Sequence, residues 1–533
     1  MMIPLRPDSL ELYDTTLREC TWRTGVPLTV HDRIRMLGRI DAMGVTFIEG
    51  GRPAASRRDG EFFAQATRTP LRSASLVAVG QVRGPGLTAG DDPQVRALCE
   101  AGTRFVTVMA TAHDQHVSRG SRISLDENLA MLSDTVRHLV AEGKQVIVDA
   151  EHYFDGCMSN PAYALEVVRA AAEAGARTVV LCDTNGGMVP GWIGDAVSAA
   201  ASIGVDLGVR CHNDSGCAVA NSLAGLDAGV VHVQGAVNGY GAHAGTTDLT
   251  TLIPDLQLKY GWPVVTAEQL REVTRTARVV GEITAQPVDP RQPYVGESVF
   301  AHRAGRHAAA TRVNADLHEH ADPRSVGNDM RLLITDMTGC ANIQVAGAQL
   351  GLDLADHAIA RDVAEAVRER EARGYAYETA GASFELLVRR MRGELDTPPF
   401  TVLGWRVTTE QQGDDSDAPA PTRAVVRLLA DGLRRSSAGE GRGPVDALDQ
   451  ALRRALGAAH PQVTAYELVD YRANLLRAGR GTDATVRVLI DTACQGRTWT
   501  TVGVGENVIE ASWEALAEAF LYGLVKGHGP GEA

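Results

Sequence analysis

Apolar positions in the first half of the chain recur in two alternating rhythms. Short runs rich in Val, Ile, Leu and Thr read as strands, and longer segments with apolar residues three and four apart read as helices with one buried face. The first rhythm predicts eight strands, over 10–16, 45–49, 73–79, 104–111, 145–151, 178–184, 206–212 and 230–238. Amphipathic segments lie between them. The one opening at Thr29 carries Ile34, Leu37 and Ile40 on one face and sets Asp32 where a capping box needs its second side chain. Eight strand–helix units predict a closed (β/α)8 TIM barrel. An open doubly wound sheet is the alternative, but no G-x-G-x-x-G follows the first strand and a count of eight favours closure.

After about residue 285 the rhythm breaks at the Pro-rich joint QPVDPRQPYVG, and a mostly helical accessory region runs to about residue 383. Strand patterns return at 400–407 and 423–429, followed by a helix over 444–456. A similar succession recurs as 467–476, 485–491 and 499–504 with a helix over 509–525, which predicts a small α+β domain of two βββα units. The polar stretch EQQGDDSDAPAPT, from Glu410, is expected to be a mobile loop. The expected division is a barrel over 1–285, a linker and helical accessory region over 286–395, and a regulatory-type domain over 396–533.

Composition narrows the class. With 533 residues, 44% hydrophobic and 22% charged, the chain has the balance of a globular protein and the length for a barrel plus smaller domains. A net charge of −14 disfavours a nucleic-acid or anionic-membrane surface. The eight cysteines are dispersed with no C-x-x-C pair, which fits a reducing compartment. The opening MMIPLRPDSLELYD lacks the apolar run of a signal peptide and no uninterrupted apolar stretch reaches about 18 residues, so a cytoplasmic location is expected.

In a TIM barrel the reacting groups sit at the C-terminal ends of the strands. The polar residues here gather there: Arg18 and Glu19 after strand one, Glu49 after two, His113 and His116 after four, and Glu151 and His152 after five. Strand six ends in Asp183, Thr184 and Asn185, strand seven in Arg210, His212, Asn213 and Asp214, and strand eight in Asn238. Ionisable residues at nearly every mouth point to an active site, with buried ion-pair networks as the alternative for some of them.

The motifs LYDTTLREC from Leu12, FIEGGRP from Phe47, DAEHYFDG from Asp149, LCDTNGG from Leu181, CHNDSGCAVANSLAG from Cys211 and VNGYGAHAG from Val237 carry a resemblance. Together they resemble the barrel signatures of the DRE-TIM metallolyases, the family of isopropylmalate, homocitrate and citramalate synthases. RQPYVGESVFAHRAGRH from Arg291, LHEHADPRSVGND from Leu317 and GENVIEASWEAL from Gly505 are similar to the citramalate-synthase branch. The resemblance implies a Claisen-type condensation of an acyl-CoA with a 2-oxo acid, a divalent metal, a C-terminal allosteric domain and a homodimer. By motif, Arg18 stabilises developing negative charge, Glu19 is the first metal ligand, Glu151 is the catalytic glutamate, Thr184 holds the 2-oxo acid carboxylate, and His307 is the histidine lent by the accessory region. For the same residues a buried Arg18–Glu19 ion pair, a Thr184 hydroxyl bonded to backbone and a surface His307 stand as the plainer readings.

The departures from that family bear on the metal. Its strand seven carries H-x-H-N-D, both histidines binding the ion; here the segment reads Arg210, Cys211, His212, Asn213, Asp214. Arginine has no lone pair to give and repels a cation. Thr246 stands where the family has its asparagine ligand, Ala242 and His243 replace Glu and Arg, Cys20 replaces a glycine, and Trp22 stands where a substrate-contacting glutamine is usual. Three readings follow. A metal is rebuilt on Glu19, His212 and His243; or the Arg210 guanidinium takes the metal's place in a metal-independent bond-forming or bond-cleaving enzyme; or the protein is a non-catalytic paralogue. The altered site also fits recruitment to a specialised pathway. Cys211 is expected to face away from the mouth by strand alternation. His116 and Arg52 are further candidates for substrate contact. Arg52, with Arg57 and Arg58, forms a basic loop suited to a second anionic group or the CoA phosphates, or to solvent.

Overall fold

The structure is a computed structural model of the full chain, and it describes residues 10–22, 28–302, 320–329, 331–332, 343–344, 347, 350–352, 354, 356–410, 422–476 and 485–528. Eight parallel strands close into a barrel in sequential order. They are β1 (Glu11–Asp14), β2 (Phe47–Glu49), β3 (Ser75–Gln81), β4 (Phe105–Thr111), β5 (Gln145–Glu151), β6 (Thr178–Asp183), β7 (Asp206–Cys211) and β8 (His232–Gly235). Closure is direct: Leu12 of β1 pairs with Val233 of β8, and Tyr13 with Phe47 of β2.

The predicted barrel strands are all present; β5 keeps its expected bounds, β3 is shifted two residues towards the C-terminus, and the others are shorter. Arg18 and Glu19 follow β1, which stops at Asp14 and not at residue 16; both residues sit on a one-turn helix, Thr16–Glu19, because Asp14 accepts hydrogen bonds from the backbone N–H and hydroxyl of Thr16 and turns the chain. The first long helix, Val30–Ala42, begins as its sequence predicts. Thr29 accepts from the Asp32 backbone N–H while the Asp32 carboxylate accepts from Thr29, a full capping box worth about 1 kcal/mol. Its buried stripe is Met36, Leu37 and Ile40, packed in the layer between barrel and helices.

The chain divides into two compact units, one holding the described residues of 1–300 and 320–329, the other those of 301–302 and 331–528. The second unit contains two three-stranded antiparallel sheets. One is β9 (Phe400–Thr409), β10 (Thr422–Ala430) and β11 (Leu433–Gly441), followed by the helix Pro444–Leu456. The other is β12 (Glu467–Leu475), β13 (Val486–Cys494) and β14 (Arg497–Gly505), followed by the helix Val508–Val525. These are the two βββα units the repeat predicts. Two further helices, His357–Ala372 and Gly381–Met391, belong to this unit and share a core with Leu489 and Val502. Most of the Glu410 loop, at 411–421, lies outside the described residues.

No helix among the described residues is long and apolar enough to cross a membrane.

Candidate active site at the barrel mouth

Because strand side chains alternate, residues two apart line the barrel interior in layers. At the floor Glu11 meets Arg177 and His232: Arg177 Nη1 donates to Glu11 Oε2 at 3.0 Å, its Nη2 bonds Oε1, and His232 Nδ1 lies 3.1 Å from Oε2. Burial works against the Glu11 charge, but the hydrogen bonds from His232 and Arg177 prevail and draw its pKa down to about 2. An apolar belt of Tyr13, Phe47, Val77, Ile147, Val180 and Cys182 fills the middle.

Above the belt lies a second, larger cluster. Arg18 bonds Glu49 through Nε and, at 3.1 Å, through Nη2, while its Nη1 is 2.9 Å from Glu19 Oε1. The same Glu19 oxygen accepts from Arg210 Nη2, so one carboxylate bridges two guanidiniums. Arg210 Nη1 lies 3.6 Å from Asp149 Oδ2, and Gln234 donates to Asp149 Oδ1 at 2.8 Å. All five charged groups are largely buried. Burial raises the Asp149 pKa to about 6 against the pull of Arg210. Glu19 shows the opposite balance: burial pushes it up, but Arg210 and then Arg18 hold it below the ordinary carboxylate value. His212 is pressed down to about 4, first by burial and then by Arg210, so its imidazole is neutral at physiological pH.

At the rim, Glu151 is half-buried at the top of β5, and its side chain makes no hydrogen bond among the described residues. Thr184, the residue after β6, accepts from the backbone N–H of His152 at 2.8 Å. That contact places the His152 backbone, held at a φ of 59°. The His152 ring stacks on His116 at a centroid distance of 4.0 Å, and His113 meets His116 edge-on at 4.9 Å. Arg52 is exposed above β2 with Nη2 3.9 Å from Met109 Sδ, a sulfur that also lies 3.5 Å from Gln81 Nε2. Its neighbours in the basic loop point elsewhere: Arg57 pairs with Glu61, and Arg58 donates to the Leu28 carbonyl.

The loop after β8 folds back on β7, with His212 bridged to Thr246. Gly245 makes this possible, since its φ is +97° and a Cβ there would meet the Gly239 carbonyl at 2.0 Å. Cys211 packs in the outer core, away from the mouth, as strand alternation requires. His307 and the side chain of Trp22 lie outside the described residues.

Thus Arg18, Glu19, Arg210 and His212 come together, and Glu151, Thr184 and His116 stand at the rim. Asp149 was not singled out from sequence. It lies two residues before Glu151 on the same strand face, and that spacing was the signal.

The comparisons with known proteins cover nearly the whole chain. The HMGL-like family model matches residues 9–280, a homocitrate synthase post-HMGL domain-like model matches 294–374, and a LeuA allosteric (dimerisation) domain model matches 378–524. The chain is 48% identical to the (R)-citramalate synthase of Streptomyces coelicolor, covering 97% of each protein. It is 41% identical to the (R)-citramalate synthase of Synechocystis, covering 97% of this chain and 96% of that one. The chain belongs to the HMGL-like family. Within it the chain falls in the citramalate-synthase branch of acyltransferases; the 2-isopropylmalate synthase of Methanocaldococcus jannaschii is 28% identical over 98% of this chain and 96% of its own.

The divalent metal of the DRE-TIM metallolyases does not fit the residues present. Oε1 of Glu19 is engaged by two guanidiniums. The Thr246 hydroxyl donates to the Tyr240 carbonyl at 3.1 Å. His243 is 79% exposed, with Nδ1 3.6 Å from Asp214, and is not brought to Glu19 and His212 as a third donor. Among the described residues no three His, Cys, Asp or Glu side chains converge as a metal site. Beside Arg210 a cation is opposed: at an effective dielectric of about 20, two unit positive charges about 4 Å apart repel by ~4 kcal/mol, and a divalent ion doubles this, while the carboxylates of the cluster act the other way.

Proposed function

We propose that this protein condenses an acyl-CoA with a 2-oxo acid, as a 2-alkylmalate synthase of citramalate-synthase type. The carbon next to the acyl thioester gives up a proton, and the enolate carbon bonds to the ketone carbon of the 2-oxo acid. The ketone oxygen then takes up a proton, and water cleaves the thioester to a carboxylate and the free CoA thiol. Arg18 carries a permanent charge under the mouth and suits the negative charge that grows on oxygen. Glu151, half-buried at the top of β5, is the residue assigned to proton transfer. Thr184 uses its oxygen to accept from His152, which leaves its hydroxyl proton for the substrate carboxylate. His116 and Arg52 flank the opening as further anion contacts. His307 is assigned the catalytic histidine that the accessory region of a partner subunit lends. No step is assigned to a metal at Glu19, His212 and His243.

The working form is a homodimer in the cytoplasm. Support for pairing comes from the match to a dimerisation domain over 378–524 and from the apolar side chains of Leu433, Val469 and Leu475, which stand exposed in that unit.

One observation carries the reading: 48% identity to an (R)-citramalate synthase over 97% of the chain, barrel and C-terminal domain together. A second reading, a non-catalytic binding paralogue, is favoured by Arg210 standing in ion pairs where the family has a metal ligand. Free-thiol release separates the two. Acetyl-CoA and other acyl-CoAs are incubated with a panel of 2-oxo acids, with and without a chelator. Turnover of at least one pair is the expected result, and silence across the panel under both conditions leaves the binding paralogue standing.

A further inference from the structure

We infer that the Arg210 guanidinium stands in for the divalent cation of this active site, occupying its place with a single permanent positive charge. The inference deepens the condensation reading and rests on it only for its catalytic part. Arg210 projects into the barrel from β7, level with Cys182 and Gln234 on the adjacent strands. Its side chain is 7% exposed and is held between two carboxylates, Glu19 at Nη2 and Asp149 at 3.6 Å from Nη1. A guanidinium has five N–H donors in one rigid plane and keeps its charge at any physiological pH. Here those donors are not all spent. Arg210 Nε and Asp149 Oδ2 are both buried without a hydrogen-bond partner among the described residues. A buried cation with unsatisfied donors, fixed below a barrel mouth, is equipped to meet a carbonyl oxygen.

The surrounding changes belong to the same exchange. Thr246 offers a hydroxyl already committed to the Tyr240 carbonyl, and His243 is turned out to Asp214. Glu19, which stands where the family places its first metal ligand, instead bridges Arg210 and Arg18. Two guanidiniums sharing one carboxylate oxygen make a cationic pair that no chelator can remove.

The experiment uses the full chain, dialysed against a chelator and titrated with Mn2+, with bound ion read by electron paramagnetic resonance and by the shift in thermal midpoint. Wild type is expected to bind no stoichiometric Mn2+ and to show no shift. The double variant Arg210→His with Thr246→Asn returns lone pairs to two positions and removes a repelling charge. It is expected to bind Mn2+ more than about 100-fold more tightly than wild type, beyond what an outer-contact change alone produces. It should also be stabilised in proportion to free Mn2+, and if it folds poorly alone it is refolded in Mn2+. Arg210→Gln is the companion variant, expected to lose thiol release by about 100-fold or more without gaining the ion. One tightly held divalent ion per wild-type chain would overturn the inference. So would thiol release in Arg210→Gln that matches wild type and resists the chelator. If wild type releases no thiol with any substrate pair, the condensation reading fails, and the Mn2+ titration still decides whether Arg210 holds the cation's place.

Discussion

The barrel contains two buried ion clusters that obey different rules. At the floor one carboxylate, Glu11, faces two basic side chains, and both of its oxygens are bonded, with His232 Nε2 left without a partner among the described residues. At the mouth three carboxylates, Glu19, Glu49 and Asp149, face two arginines, and hydrogen-bonding atoms on Asp149 and Arg210 are left over. The floor is close to closed, as expected of the end of a TIM barrel that serves stability, whereas the mouth keeps donors in reserve where chemistry takes place. Breaking a buried pair leaves its partner's charge uncompensated, so both clusters should resist mutation. They should differ in whether activity falls with stability or apart from it.

The largest effect is expected at Arg18. Arg18→Met strands Glu49, which is fully buried, and takes from Glu19 one of its two guanidiniums, leaving Arg210. Unfolding in urea should show a loss of about 3–5 kcal/mol. Thiol release per folded enzyme should drop a further 10²- to 10³-fold, roughly the cost of losing one oxyanion donor. Arg18→Lys keeps the charge but not the bidentate fork on Glu49 and should fall between. If Arg18→Met retains full turnover per folded molecule, the mouth cluster is structural and the contrast with the floor disappears.

At the floor the change should be one of stability alone. Glu11 is drawn from an ordinary value of 4.5 to about 2. A lowered carboxylate pKa contributes stability that is complete above about pH 4.5 and is lost as pH falls towards 2. A fall from 4.5 to about 2 corresponds to roughly 3 kcal/mol. Urea midpoints of wild type should therefore decline through that window more steeply than those of Glu11→Gln, which has no charge to lose. Arg177→Met should lower stability at neutral pH and flatten the same slope while leaving thiol release per folded enzyme unchanged. A matching fall in turnover would mean that the floor is coupled to the mouth.

How much of this was legible in the chain depends on which physical signal each part leaves. Strand and helix periods are strong signals, and they located all eight barrel strands and the helices after each small sheet. The turn that lifts Arg18 and Glu19 off β1 was not visible, because it depends on Asp14 folding back on Thr16, a local competition that hydrophobic pattern does not record. Strand β11 leaves no such periodic signal. Its sequence, LRRSSAGEG, has little apolar alternation, since Gly439 is there to let the following helix approach: a Cβ would stand 2.4 Å from the Ala447 carbonyl. At the site, the loss of a ligand at Arg210 was plain from residue type. That Arg210 would be claimed by Glu19 and Asp149 was not, because those contacts join residues 191 apart in the first case and strands β5 and β7 in the second. Strand alternation gives the face a residue occupies; which partner it takes across a barrel is decided only by closure.

The smallest expected effect lies outside both clusters, at Thr184, and it tests whether the rim behaves as the mouth does. The Thr184 hydroxyl accepts from the His152 N–H, so Thr184→Val removes one partly buried hydrogen bond. The stability cost should be about 0.5–1.5 kcal/mol. If the hydroxyl proton also serves the substrate carboxylate, KM for the 2-oxo acid should rise about tenfold while kcat changes little, because an anchor used equally in ground and transition states affects binding alone. Thr184→Ser keeps the oxygen and should restore both values. The two roles separate cleanly in one comparison. A variant that loses stability with KM unchanged would make Thr184 a support for the His152 backbone and nothing more, and would leave the carboxylate to be held by Arg52 or His116.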